Sequence, residues 1–241
     1  PVPRPCGAMT TAAGSLWVAN CKDGDVYRIN LATAEVEAKI ATGLGNPKGE
    51  TNVVSGAGSV WVPSDPAGKV ARIDPATNTV IATIPVTAQT WYLAFGFDAV
   101  WAVSSEGSSL ERIDPATDTV TGKVAMGNTP GFLAAGEGAV WVQEQGDGTV
   151  AKVDPASLTV LGRTKIGPKL KWGDIDTGAG AVWLRTTEDQ TMVVIDADTL
   201  AIRARMGPGV GSGALRWTPQ GVWTSAHDNQ TLSWWSKPQQ K

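Results

Sequence analysis

Apolar and polar residues alternate along this chain in short bursts, and the bursts recur. TWYLAFG (90–96) alternates at period two and leads through FDA into VWAVSS (100–105). A Gly/Ser loop follows, then LERI (110–113), the turn DPAT and DTVTGKVAM (118–126). Runs of this length bounded by Gly, Pro, Asp and Ser predict four antiparallel strands, labelled a to d. The same unit returns around Trp17, Trp61, Trp101, Trp141, Trp183 and Trp223, spaced by 44, 40, 40, 42 and 40 residues. A short β motif repeating at about 40 residues predicts a propeller, one blade per repeat.

Other positions keep the register. Eleven residues after each anchor Trp stand Arg28, Arg72, Arg112, Lys152, Val194 and Trp234. Eight residues before stand Met9, Val53, Leu93, Leu133, Ile175 and Leu215, apolar in every copy and therefore assigned with the tryptophans to packing between blades. The c–d link recurs as INLAT (29–33), IDPAT (73–77 and 113–117), VDPAS (153–157) and IDADT (195–199). Asp followed by Pro suits a type I turn, in which the carboxylate accepts from nearby N–H groups. The expectation is an all-β, six-bladed β-propeller of four-stranded antiparallel blades, a single domain over residues 1–241. Blade six lacks residues for strand d after TLSWWSKPQQK, so it is expected to be incomplete or closed by the N-terminal PVPRP. Three prolines in that segment suit an edge strand.

Composition narrows the partners. Hydrophobic residues make up 42% and charged residues 18%, enough for a core and too apolar for disorder. A net charge of −3 without a basic stripe argues against nucleic acid, and no apolar run is long enough to span a membrane. A monomer is expected.

The a–b and c–d turns are short and uniform, whereas the b–c loops vary: CKDGD, SDPAG, SSEGS, EQGDG, TTEDQ and AHDNQ. Variable loops on a rigid scaffold are where binding resides, so the b–c and d–a face is the candidate functional face. In blade one the a–b turn centres between Ala13 and Gly14, so residues whose numbers sum to 27 oppose each other. Cys6 and Cys21 meet that condition and are predicted to form a disulfide, which implies a secreted or periplasmic location. The same offset predicts opposed pairs Glu50/Asp65, Thr90/Ser105, Pro130/Gln145, Trp172/Thr187 and Ser212/His227 at the axial mouth. Trp91, Tyr92, Phe132 and Trp172 crowd one end of their strands near Asn52 and Asp174, a setting suited to a small planar or glycosidic ligand or to a peptide.

With one His and two paired cysteines, zinc is not expected. A divalent cation, Mg²⁺ or Ca²⁺, is the cofactor that Glu50, Asp65, Glu144, Asp174 and Asp176 would suit. Ser212 opposite His227, with Asp228 adjacent, has the residue types of a nucleophilic triad. His227 is the stronger candidate as a general acid or base, because its ordinary pKa lies near neutrality. The GxG stretches at 207–213 lie outside any βαβ unit and are not a dinucleotide fingerprint.

The repeat V-W-V followed by V-x-R-I-D-P-x-T resembles the YVTN-type and virginiamycin B lyase-like propellers over nearly the whole chain. The resemblance implies elimination that opens a cyclic depsipeptide, with a divalent metal, a general-base His and nearby acids on the loop face. Blades of that family often read W-F-T-E. Here Trp141-Val142-Gln143-Glu144 keeps the Glu slot and Trp223-Thr224-Ser225-Ala226-His227 keeps the His slot, so the resemblance nominates Glu144 and His227 as catalytic. The family has seven blades and several histidines, whereas this chain has six repeats and one His. Six-bladed lactonases of the gluconolactonase type are a second comparison. The two functions to be separated are therefore an enzyme, a lyase or lactonase-type hydrolase in which Arg216 or a cation polarises a carbonyl, and a non-catalytic propeller that docks a peptide or protein.

Overall fold

The computed structural model describes residues 1–171, 173–185, 191–207, 213–226 and 230–236. Its strands form six antiparallel sheets, each built from one repeat, and the fold is an all-β six-bladed β-propeller. The chain divides into two compact units, Pro1–Met126 and Gly127–Lys241.

Unit one holds three four-stranded blades in sequential strand order. Blade one is β1 (Thr10–Ala12), β2 (Ser15–Asn20), β3 (Asp25–Asn30) and β4 (Val36–Ala41). Blade two is β5 (Val54–Gly56), β6 (Ser59–Asp65), β7 (Lys69–Asp74) and β8 (Thr79–Pro85). Blade three is β9 (Thr90–Gly96), β10 (Ala99–Ser104), β11 (Ser109–Asp114) and β12 (Thr119–Ala125). In unit two, blade four is β13 (Pro130–Gly136), β14 (Ala139–Glu144), β15 (Thr149–Val153) and β16 (Val160–Lys165). Blade five is β17 (Ile175–Thr177), β18 (Ala181–Arg185), β19 (Met192–Asp196) and β20 (Ile202–Met206). Blade six has three strands among the described residues, β21 (Leu215–Thr218), β22 (Gly221–Ala226) and β23 (Thr231–Ser236).

In blades one to five the a–b hairpins turn through two residues with positive φ, such as Ala13–Gly14 and Ala57–Gly58. That is the type I′ geometry, whose twist matches the strands it joins. The c–d links are wider than a simple type I turn. Asp74 and Asp114 accept from the N–H two residues on, at 2.8 and 2.9 Å. Their carbonyls also take the N–H four residues on, from Asn78 and Asp118, which lie at positive φ. The extra left-handed residue shifts the c–d register by one, a bulge repeated in blades one to five.

Each anchor Trp sits opposite the residue eleven positions later: Trp17 faces Arg28, Trp61 faces Arg72 and Trp141 faces Lys152. Trp17, Trp61, Trp101 and Trp141 are fully buried. Their indole N–H groups donate to the carbonyls of Ala12, Gly56, Gly96 and Gly136, five residues back, at 3.0–3.1 Å. Cations cover three of the rings, with Arg28, Arg72 and Lys152 at 5.2, 4.9 and 5.3 Å from the centroids. The same side chains tie each blade to the next within a unit. Arg28 donates to Pro75 O and Asn78 Oδ1, Arg72 to Pro115 O and Asp118 Oδ1, and Lys152 to Ala197 O. The cores follow the same plan: Trp17, Ala19, Val26 and Ile40 pack on Val60, Val62, Ala71 and Ile73 of the following blade.

Two expectations change at the N-terminus. PVPRP is not a strand of blade six: Arg4 and Cys6 bond Cys21 and Ala19, with Pro5 bridged to Asn20 in blade one. Pro5 occupies a non-hydrogen-bonded site, so its missing N–H costs the ladder nothing. This pairing sums to 25 rather than 27, because Gly7 (φ +83) and its neighbours break away from the strand. Met9 is consequently 47% exposed, unlike its five buried counterparts. The disulfide Cys6–Cys21 nonetheless forms, with Cα atoms 5.7 Å apart.

Candidate functional site

In unit one, the nominated residues belong to the start of blades two and three. Asn52 precedes the short β5 and bridges blade two to β9 of blade three. Its Oδ1 accepts from Leu93 N–H and its Nδ2 donates to Leu93 O, both at 2.8 Å. The amide thus stands in for a backbone peptide between blades. Thr51 donates to Trp91 O at 2.9 Å. The Tyr92 hydroxyl donates to Glu50 Oε2 at 3.3 Å, and Trp91 Nε1 donates to Gln89 Oε1 at 3.1 Å. Tyr92 is buried, while Glu50, Asn52 and Trp91 are half-buried.

The ladder between β9 and β10 pairs Tyr92 with Val103 and Thr90 with Ser104, which leaves Trp91 as the extra residue of a bulge. The expected pair Thr90/Ser105 is therefore replaced by Thr90/Ser104. The same slip makes Pro130 face Glu144 instead of Gln145. A bulge adds one residue to one strand, so an offset taken at the turn fails beyond it. Glu50 and Asp65 are not a ladder pair either. Asp65 faces Lys69, with an ion pair of 2.9 Å, and caps the N–H of Ala67.

In unit two, Glu144 is fully buried and already saturated. Gly127 N–H and Thr149 O–H donate to it at 2.7 Å, and Arg163 donates twice, at 2.8 and 3.0 Å. Burial works to raise its pKa, but the bonds from Arg163, Thr149 and Gly127 outweigh it and hold the carboxyl below its ordinary value. It fastens the d–a crossing to its blade. Glu111 does the same in blade three, accepting from Thr87 N–H and O–H at 2.7 Å and pairing with Lys123 at 3.3 Å.

Asp174 and Arg216 form an ion pair of 2.7 Å between blades five and six, and Asp174 also takes Leu215 N–H at 3.3 Å. The charge of Asp174 is the largest cause holding the guanidinium above its ordinary value. Asp176 accepts from Trp217 and Thr177 N–H at 2.9 Å, yet burial pushes its carboxyl up, against those bonds and Arg216. Phe132, on β13, is half-buried and packs against the core of blades four and five. Trp172, Thr187, Ser212, His227 and Asp228 lie outside the described residues.

The structure thus brings together Glu50 with Tyr92, and Asp174 with Arg216. Sequence reasoning missed Arg163, Glu111 and Arg185. The last is a buried cation whose guanidinium reaches Ser225 O across blades. A carboxylate at an inward strand position was the available signal for Arg163, because such a group demands a cation within reach.

A hard divalent cation needs several converging oxygen ligands. Among the described residues no three of His, Cys, Asp and Glu converge, and the oxygens of Glu144, Asp174 and Asp176 face donors. These carboxylates do not fit such an ion. No helix among the described residues is long and apolar enough to cross a membrane.

No family model and no curated protein matches the chain. Solved structures do. Virginiamycin B lyase from Staphylococcus aureus is similar at 15% identity and TM-score 0.83, over 99% of this chain and 83% of that one. A catalytically inactive form of that S. aureus enzyme, solved with quinupristin, aligns at 14% identity and TM-score 0.81, over 97% and 80%. A chain of the mitotic checkpoint complex aligns at 16% identity and TM-score 0.79, over 97% and 76%. At this level of identity, proteins of unlike function share the architecture, and what this chain has in common with them is the β-propeller fold.

Proposed function

We propose that this chain is a ligand-binding propeller of an oxidising compartment, secreted or periplasmic, that engages a small aromatic or ester-bearing molecule on its b–c and d–a loop face. The observation that carries the reading is the bulge at Trp91. It lifts one indole out of the β9–β10 ladder beside Tyr92 and Glu50, and bulges characteristically re-aim a side chain next to a functional site. The Cys6–Cys21 disulfide supports the compartment. Within unit one the candidate contacts are Trp91, Tyr92, Glu50 and Asn52; within unit two, taken by itself, they are Asp174 and Arg216.

In the enzyme version of this reading, supported by the likeness to virginiamycin B lyase, His227 is the base. It takes a proton from a carbon next to a carbonyl polarised by Arg216. The C–H electron pair becomes a double bond, the alkyl C–O bond of the ester breaks, and a carboxylate leaves with its electrons. Glu144 is left out of this step because four hydrogen bonds occupy its oxygens. The competing reading is a protein- or peptide-interaction module without catalysis, which the likeness to a chain of an assembly, the mitotic checkpoint complex, supports.

Thermal shift with quinupristin, simple lactones, aromatic esters and short peptides separates the readings. A small molecule that raises the melting temperature of the wild type and not of Trp91→Ala supports the proposal. No shift with any small molecule overturns it, and a shift with peptides alone favours docking. Turnover of a bound ester that is lost in His227→Ala, with melting unchanged, supports the lyase. Turnover that survives removes His227 from the mechanism.

A further inference from the structure

Around Trp91 in unit one, the strong hydrogen-bond donors are already committed. Thr51 O–H goes to Trp91 O, Tyr92 O–H to Glu50 Oε2 and the Trp91 indole N–H to Gln89 Oε1. One N–H of the Asn52 amide goes to Leu93 O. What these side chains have left is neutral amide N–H on Asn52 and Gln89, and both amides are tied at their oxygens. A ligand recognised through its own oxygens finds little to hold it here.

The negative side is open instead. Glu50 is half-buried, accepts a hydrogen bond from Tyr92 and has no cation paired with it among the described residues. Asp65 and Glu111 in the same unit are each met by a lysine, at 2.9 and 3.3 Å. Lys48, two residues from Glu50, is exposed and makes no such pair. The rings divide the same way. Arg28 lies over Trp17, Lys39 over Tyr27 and Arg72 over Trp61, at 5.2, 5.0 and 4.9 Å. Trp101 has no cation over it and is fully buried. Trp91 has none among the described residues and is half-buried.

The two unmet groups stand together. Segment 50–52 runs beside 91–93, joined by the bonds of Thr51, Asn52 and Tyr92 at 2.8–3.3 Å. The bulge turns the indole out of the ladder and Gln89 occupies its N–H, which leaves the ring face as the part a ligand touches. An aromatic face is the negative end of the ring quadrupole. Face and carboxylate both repel an ester or sugar oxygen, and both attract a positive group.

We propose that the unit-one contacts receive an ammonium group, primary or quaternary, of an organic ligand: the ammonium lies over the Trp91 ring and Glu50 is its counter-ion. The proposal rests on the reading of Trp91 as a ligand contact and adds the charge that the ligand must carry. Tyr92 acts as the positioning residue for Glu50, through its hydroxyl. An aromatic face and an anion hold even a quaternary ammonium, which has no hydrogen bond to give.

The test titrates the full chain with choline and with its neutral isostere 3,3-dimethylbutan-1-ol by isothermal calorimetry, at low and at high salt. Choline should bind about tenfold more tightly than the alcohol, and its affinity should fall as salt rises. Glu50→Gln keeps an oxygen for the Tyr92 hydroxyl and removes the charge, so choline should weaken by about tenfold and lose its salt dependence. Trp91→Leu should remove the preference for choline over the alcohol, and Lys48→Glu should strengthen choline binding. An ammonium is borne by free amines and by lysine side chains alike; Nα-acetyl-lysine amide in place of choline separates the two sources, and binding of either supports the proposal. Equal affinity for choline and the alcohol, or choline binding unchanged in both Glu50→Gln and Trp91→Leu, would overturn it. Neutral esters or lactones that bind through Trp91 while neither ammonium compound binds would overturn the ammonium and leave the ligand-binding reading standing. If no small molecule of either kind binds, both fall.

Discussion

Replacing Glu144 tests whether an acid on the loop face is structural. In Glu144→Gln one carboxylate oxygen becomes an NH₂ group, yet every neighbour of both oxygens is a donor: Gly127 N–H, Thr149 O–H and the Arg163 guanidinium. At least one buried donor then faces another, and an unsatisfied buried group costs about 1–3 kcal/mol. Arg163 offsets part of this, because its side chain is 43% exposed and can return to water. Glu144→Ala strands both Gly127 N–H and Thr149 O–H and opens a cavity, for a total of about 3–4 kcal/mol. In a chain of this size each kcal/mol lowers the melting temperature by about 2–4 °C, so Glu144→Ala should lose roughly 6–16 °C by calorimetry at pH 7. The pH dependence has a defined sign. The carboxyl titrates below its ordinary value when folded, so its contribution is present above the unfolded pKa of about 4.3 and is lost as pH falls through the folded value. The gap between wild type and variant should therefore close in acid. A Glu144→Ala protein that melts within about 1 °C of wild type at pH 7, or a gap that persists undiminished at pH 2, refutes the reasoning.

Reduction of Cys6–Cys21, which closes a span of 15 residues, should cost about 3 kcal/mol by chemical denaturation with and without reductant, and a Cys6→Ser/Cys21→Ser double variant should be insensitive to the reductant. Asn52→Ala leaves Leu93 N–H and O unpaired between blades and should cost about 2 kcal/mol by urea titration, with Asn52→Asp failing to rescue because it keeps the acceptor and loses the donor. Arg72→Ala removes the ring contact to Trp61 and the bonds to Ser59, Pro115 and Asp118, and should destabilise by about 2–3 kcal/mol, with Arg72→Lys recovering only part. Asp196 is held well below its ordinary value, by Thr199 N–H first and Arg203 second, so its contribution is full above the unfolded pKa and lost only in strong acid. Asp196→Asn should therefore lower the melting temperature equally at pH 5 and pH 8.

Much of the blade was legible beforehand. The Trp-plus-eleven spacing marked residues that lie opposite each other in every described ladder, because a hairpin of constant loop length transmits register along the chain. The failures were local. The bulges at Trp91 and near Pro130 shifted the mouth pairs by one, and Gly7 with its neighbours moved Met9 into solvent. Glu144 could be located from the W-x-x-E slot, but its saturation depended on Arg163, which lies two strands away.

Period, strand count and the pairing of the two cysteines were determined by sequence alone. Each rests on contacts within one hairpin, where separation along the chain dictates separation in space. Which acids are neutralised and which aromatics leave the ladder were decided only by tertiary structure. Those outcomes depend on donors delivered from neighbouring strands and blades, and on single-residue bulges that alter a side chain's direction without altering the hydrophobic pattern.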